Sequence, residues 1–240
     1  QIPIQGKSIQ SDLIIKGPKI YSDAAFWTSK ILGALRGQVG TGIGIYFSLP
    51  ADHGELNIQI QASAPVTIDP ILAEATALAC AAMLANFLNV QQPTFLTDCL
   101  PLASAVASKN ISHPATPWNI RNYLASFIKS YTNLNAQVFH ISRNLNGVAH
   151  NLAQQVYQAT NQPIMSCSTR SHAANFCPVA AALAHFSVTG YCLPKVTVTK
   201  LGGKFNKFAI NVLLLQIFLK DWWHLGTATY FQDRSLKCLF

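Results

Sequence analysis

Asp23 in IYSDAAF, Glu74 in ILAEATALACAAMLANFL and Asp98 in TFLTDC each stand alone among residues suited to a protein interior. Of the seven acids in residues 1–160, Asp12, Asp52, Glu55 and Asp69 fall at linker, turn, strand-edge or helix-cap positions, which leaves these three without an ordinary reason. Burying an ionised carboxylate costs several kcal/mol unless it is paired or binds a cation. Basic neighbours are scarce in the sequence: Lys19 and Lys30 lie around Asp23, and none accompanies Glu74 or Asp98. A divalent cation would meet the deficit. Mg²⁺ takes hard oxygen ligands of this kind, and a pair of such ions about 3.5–4 Å apart can activate a water and stabilise the leaving oxygen of a phosphodiester. The plain alternative for Asp98 is an aspartate that ends a strand or caps the next helix.

For the three to meet, particular elements must carry them. IYSDAAF at 20–26 reads as a strand with Tyr21, Asp23 and Ala25 on one face. GTGIGIYFSL at 40–49 and ELNIQIQASA at 55–64 flank the turn-rich ADHG and read as a hairpin. Glycines 40, 42 and 44 lie inside that strand pattern, so they form no nucleotide-binding fingerprint. Asp69 and Pro70 give an N-cap and a first-turn proline for a buried helix over 71–88. A short strand at 94–99, a modest helix opening on Leu100 and Pro101, a loop at 110–116, a helix over 117–133, a strand at 135–143 and a last helix to about residue 160 follow. Three strands before the first helix argue for a mixed sheet, and the later helical crossovers argue for parallel strands with helices on its faces. With the first strand central, the Asp98 strand its parallel neighbour and the long helix above, the three acids can converge at one end of the sheet.

A chain of 240 residues that is half hydrophobic can bury a substantial core. Seventeen lysines and arginines against nine acids favour polyanions, and eight of the basic residues fall after residue 160 with only two acids. The six cysteines show no CxxC pairing and no dense framework, which suits a reducing, intracellular compartment without disulfides. Cys167, His172 and Cys177 have the spacing of half a zinc knuckle, but Ile164 stands where a further cysteine would be needed, and coincidence is the expected reading. No secretory leader is read at the start, and Gln1 in place of methionine suggests a piece of something longer. The apolar run FAINVLLLQIFL at 208–219 falls short of the roughly 18 residues a membrane span needs, so no membrane role is expected.

The ordered blocks YSDAAF, GTGIGIYF, LAEATALACAAMLA, FLTDCLPLASAV and VFHISRNLNGVAHNLA resemble the type 1 ribonuclease H domain, in particular the plant group found in retroelement reverse transcriptases. The likeness covers about residues 18–160, with 1–17 as a linker and 161–240 as an extension of unknown fold, disordered in one reading. It implies an α/β, ribonuclease H-like mixed five-stranded sheet with helices on both faces. It also implies that Asp23, Glu74 and Asp98 are the metal-binding acids, with Mg²⁺ as cofactor and Mn²⁺ as a substitute. The family's fourth acid falls within NxxADxLA, and NGVAHNLA places His150 there. A neutral imidazole can ligate a metal, but it brings no charge and prefers softer ions.

His140, ten residues earlier, matches a family histidine that handles water or product, or is a polar residue at the sheet margin. Asn146 either contacts the substrate backbone or caps the last helix, and Arg143 and Lys109 are candidates for phosphate contact or solvated surface charge. The implied function is endonucleolytic hydrolysis of the RNA strand of an RNA–DNA hybrid, with recognition of 2′-hydroxyls and a salt-sensitive phosphate grip. The alternative is a nucleic-acid-binding module of retroelement origin that no longer cuts. No protein partner is expected.

Overall fold

The structure, a computed structural model, describes residues 8–25, 41–51, 54–65, 67, 69–108, 110–114, 116–131, 136–156, 164–168, 177–186, 188 and 191–201. Seven strands form one mixed sheet in the order β5-β4-β1-β2-β3-β7-β6. Strand β1 is Lys19–Ala25, β2 Thr41–Ala51 and β3 Gly54–Ala64, and these three run antiparallel as the hairpin pattern requires. Strand β4 (Thr94–Thr97) lies parallel to β1, and β5 (Gln137–His140) lies parallel to β4. The parallel neighbour that would bring Asp98 beside Asp23 is therefore present.

Helix α1 (Pro70–Phe87) begins as its sequence dictates: Asp69 accepts a hydrogen bond from the Ile71 amide at 3.0 Å, and Pro70 occupies the first turn. Its alanines, Leu78, Cys80 and Leu84 are buried almost all round, as for a helix enclosed by protein. Among the described residues it is the one helix long and apolar enough to cross a membrane, and 61% of that window is buried inside the fold. Helix α2 (Leu100–Ala107), a single 3₁₀ turn at Trp118–Ile120 and α3 (Arg121–Tyr131) share the face of α1, with Phe95 and Phe127 meeting edge to face at 5.1 Å. Helix α4 (Gly147–Gln155) lies on the opposite face, where Ala149 packs with Tyr21, Leu96 and Ile141. The pleat explains the division: Ile20 faces the α1 core and Tyr21 the α4 side.

The sheet is wider than the five strands implied by the resemblance. Beyond residue 160, β6 (Ile164–Cys167) and β7 (Cys192–Leu201) run parallel to each other, with α5 (Pro178–Ala184) between them in sequence. β7 pairs antiparallel with β3 from Glu55↔Leu201 to Ser63↔Cys192. Val196 and Val198 are fully buried, and Val179, Ala180 and Leu183 of α5 join the α1 core. Alternation in KVTVT was the available signal, but its apolar positions are shared among strands and a seven-residue helix too short for a clear period. The basic and apolar stretches after Leu201 lie outside the described residues.

The start of the described chain is also attached. Ser8 bridges to His140, and the Tyr21 hydroxyl donates to Asp12, whose carboxylate lies 3.8 Å from the Lys19 ammonium.

Strand β7 therefore pairs with the edge of β3 that would otherwise be open. A protein ending at residue 160 is expected to melt well below the full chain and to self-associate, because the backbone groups of β3 that pair with β7 would be left open. Light scattering and thermal melts of both lengths check this; a monomeric short form with an unchanged melting temperature would count against it.

Candidate metal centre

Asp23 lies on β1, Glu74 in the second turn of α1, and Asp98 one residue beyond the end of β4. One carboxylate oxygen from each can be chosen so that all lie within 4.8 Å of one another. They gather at the carboxyl ends of the parallel strands β1 and β4, where α/β sheets commonly hold ligands. Asp23 is only 3% exposed, and Glu74 and Asp98 are half-buried.

Burial, and then the Asp98 charge, raise the Asp23 carboxyl above its ordinary range, against hydrogen bonds and a charge from Glu74 and His150 that act the other way. Burial, then Asp23, holds the Glu74 carboxyl well above its usual value. Glu74 Oε2 is buried without a hydrogen-bond partner. No lysine or arginine forms an ion pair with any of the three among the described residues. Converging hard oxygens, an orphaned buried acceptor and uncompensated negative charge fit a divalent cation such as Mg²⁺ or Mn²⁺.

The flanking groups fix two of the acids. Asp23 Oδ1 accepts from the Ala24 amide at 2.7 Å, and Asp23 Oδ2 lies 2.8 Å from His150 Nδ1. Asn146, 1% exposed, donates through Nδ2 to the Ser22 carbonyl at 3.0 Å and to Asp98 Oδ1 at 3.1 Å. Asn146 stands at the N-cap position of α4, yet its side chain makes no capping bond. The amide instead joins β1 to Asp98, so capping is not what this side chain does. Arg143, expected at phosphate or in solvent, is exposed and places Nη2 at 3.0 Å from His150 Nε2. His140 Nδ1 lies 2.9 Å from Ser8 Oγ at the end of β5, and this bond ties it to the N-terminal segment rather than to a triad carboxylate. Lys109 and His172 lie outside the described residues. Cys80, Cys99 and Cys177 carry free thiols.

Sequence reasoning missed the links from Arg143 and Gln154 to His150. Gln154, four residues along the same helix, was legible from helical spacing, and its Nε2 lies 3.0 Å from His150 Nε2. The approach of Arg143 depends on the turn at 142–146 and left no periodic trace.

The raised carboxyls have a measurable consequence. A fold that raises Asp23 and Glu74 above their unfolded values binds more protons than the unfolded chain, so their linked stability is full below the ordinary carboxylate range and is lost as pH rises through the raised values. The metal-free protein is expected to melt higher at mildly acidic than at neutral pH, and Mn²⁺ or Mg²⁺ at neutral pH should restore the difference. Melting curves across pH with chelator or metal test this; a metal-free melting temperature that rises steadily toward neutral pH would contradict it.

Fold and site together define a ribonuclease H-like α/β domain with a carboxylate centre fit for a divalent cation. Residues 34–156, just over half of the chain, match the family described as reverse transcriptase-like, and the chain belongs to that family. The matched region contains Glu74, Asp98, Asn146 and His150, while Asp23 precedes it. Among solved structures the chain is similar to a ribonuclease H1 from the halophilic archaeon Halobacterium salinarum, at 16% identity over 59% of this chain and 97% of that one, with a TM-score of 0.44. It is also similar to the N-terminal ribonuclease H domain of a Mycobacterium tuberculosis protein, at 14% identity over 58% and 98%, with a TM-score of 0.41. A third is the ribonuclease H1 LC11 in complex with an RNA/DNA hybrid, at 18% identity over 59% and 96%, with a TM-score of 0.44. No curated protein sequence matches the chain.

Proposed function

We propose that the chain is a divalent-metal-dependent endoribonuclease that hydrolyses the RNA strand of RNA–DNA hybrids. The observation that carries this is the meeting of Asp23, Glu74 and Asp98, whose carboxylates each bring an oxygen within 4.8 Å of the other two. Mg²⁺, or Mn²⁺ in its place, would supply Lewis-acid activation of the attacking water and neutralise charge on the scissile phosphate. The chain's own part is orientation. The Ala24 amide and His150 hold Asp23, and Asn146 turns Asp98 toward the same point while tying it to β1. The +8 net charge favours a polyanionic substrate, and its grip should weaken as salt rises.

The test uses the full chain with an end-labelled RNA–DNA hybrid in Mg²⁺ and in Mn²⁺. Cleavage confined to the RNA strand and absent in Asp98→Asn is the expected result. A second reading, a hybrid-binding module without cutting activity, is favoured by one observation: a histidine already occupies Asp23 Oδ2. Hybrid binding with no cleavage in either metal would establish that reading and remove the first.

A further inference from the structure

Cys167 and Cys177, whose spacing matches half of a zinc knuckle, are brought together by the elements added beyond residue 160. Cys167 ends β6, where it pairs with Val198 of β7, and the Ser168 amide continues the ladder to the Val198 carbonyl at 2.9 Å. In the pleat Cys167 shares a face with Met165, and both pack against the α1 core, while Ser166 between them meets Thr197 Oγ1 at 3.1 Å on the other side. Cys177 stands immediately before α5, is 5% exposed within that same core, and its carbonyl accepts the Ala181 amide at 2.8 Å. Both backbones are therefore held. Their side chains meet, with the Cys177 and Cys167 sulfurs in hydrogen-bond contact as two thiols.

We propose that Cys167 and Cys177 are a site of reversible disulfide formation that staples the end of β6 to the start of α5. A disulfide tolerates little adjustment of the backbones that carry it, so thiols already in contact on anchored backbones are a pair able to form one. The oxidant is a small-molecule disulfide of the glutathione class. Cys167 is half-buried and Cys177 buried, so the reagent reaches Cys167 first. The Cys167 sulfur attacks one sulfur of the reagent, breaks its S–S bond and releases one small thiol; Cys177 then attacks the Cys167 sulfur of the mixed disulfide and expels the second. Two protein thiols lose two electrons and two protons, and the reagent takes them up as two thiols. Burial pushes the Cys177 thiol up to about 11, which keeps it protonated at neutral pH and suits it to the second step rather than the first. The bond would close residues 167–177 into a loop in the unfolded chain and fasten β6, the outermost strand of the sheet.

The full chain is incubated folded with oxidised glutathione, its remaining thiols are blocked, and its peptides are mapped without reduction. A peptide pair joined through Cys167 and Cys177 is expected, together with a melting temperature about 5–10 °C higher that returns to the parent value with dithiothreitol. Cys167→Ser, at a half-buried position, is expected to fold and to lose both the linked peptides and the oxidant-dependent rise. A map of the folded, oxidised protein that lacks the 167–177 link overturns the proposal, as does a link that forms only after unfolding in urea. So does a rise in melting temperature that persists in Cys167→Ser, since the stabilising bond would then lie elsewhere.

Discussion

Glu74→Gln is expected to remove metal-dependent stabilisation and the proposed cleavage while leaving the metal-free fold at least as stable as the parent. The two effects have one cause. Glu74 is an acid whose carboxyl burial and Asp23 both raise, and its Oε2 has no partner. Glutamine keeps the shape and removes the charge, so the repulsion toward Asp23 disappears, and a rise of a few degrees in the metal-free melting temperature is expected for a chain of this size. The same change takes a ligand from the centre. Substitution of groups that only orient ligands lowers metal affinity by roughly 10–100-fold, so loss of a ligand itself should reduce Mn²⁺ affinity and hybrid cleavage by at least about a hundredfold. Melting curves with chelator and with Mn²⁺, beside a cleavage assay, read both. A glutamine variant that melts lower without metal, or that keeps the Mn²⁺-induced rise, would show that Glu74 is a structural acid.

Much of this site could be read before any coordinates, because isolation in apolar sequence is itself a physical signal. Asp23, Glu74 and Asp98 were legible as acids without counter-charges, and the Asp69–Pro70 start of α1 was legible from capping chemistry. The order of strands and helices followed from periodicity as far as residue 156. Contacts made by irregular backbone were not legible. Asn146 looked like a cap because it stands where caps stand, but β1 passes close enough for its amide to find Ser22 and Asp98 instead. His140 could be weighed only as a water-handling or marginal residue, since its partner Ser8 lies 132 positions away in the sequence. The two added strands escaped for a related reason: β6 has four residues, only partly shielded, and makes sense only once β7 has closed on β3. Long-range pairing of this kind is a property of the assembled sheet, and short segments carry little of it.

Gly44 is expected to tolerate no side chain. It pairs with Asp23 across β1 and β2, and α4 crosses directly above it. A Cβ at Gly44 would lie 1.9 Å from the Ala149 carbonyl oxygen and 2.5 Å from the Ala153 amide nitrogen. Both are backbone atoms inside a helix, so no rotamer change can make room, and the whole of α4 must lift. Overpacking a core typically costs about 1–3 kcal/mol and occasionally more, and a clash with helix backbone should place Gly44→Ala at or above the top of that range. Lifting α4 would also pull His150 from Asp23 and Asn146 from Asp98, since both side chains are carried on that helix or its first turn. Gly44→Ala is therefore expected to lose stability and Mn²⁺ affinity together. Gly147, where an added Cβ meets nothing within 4 Å, supplies the control, for Gly147→Ala should fold and bind metal as the parent does. Urea unfolding and Mn²⁺ titration of the two variants separate the cases. Equal behaviour would mean that α4 does not sit on β2 as closely as these distances require.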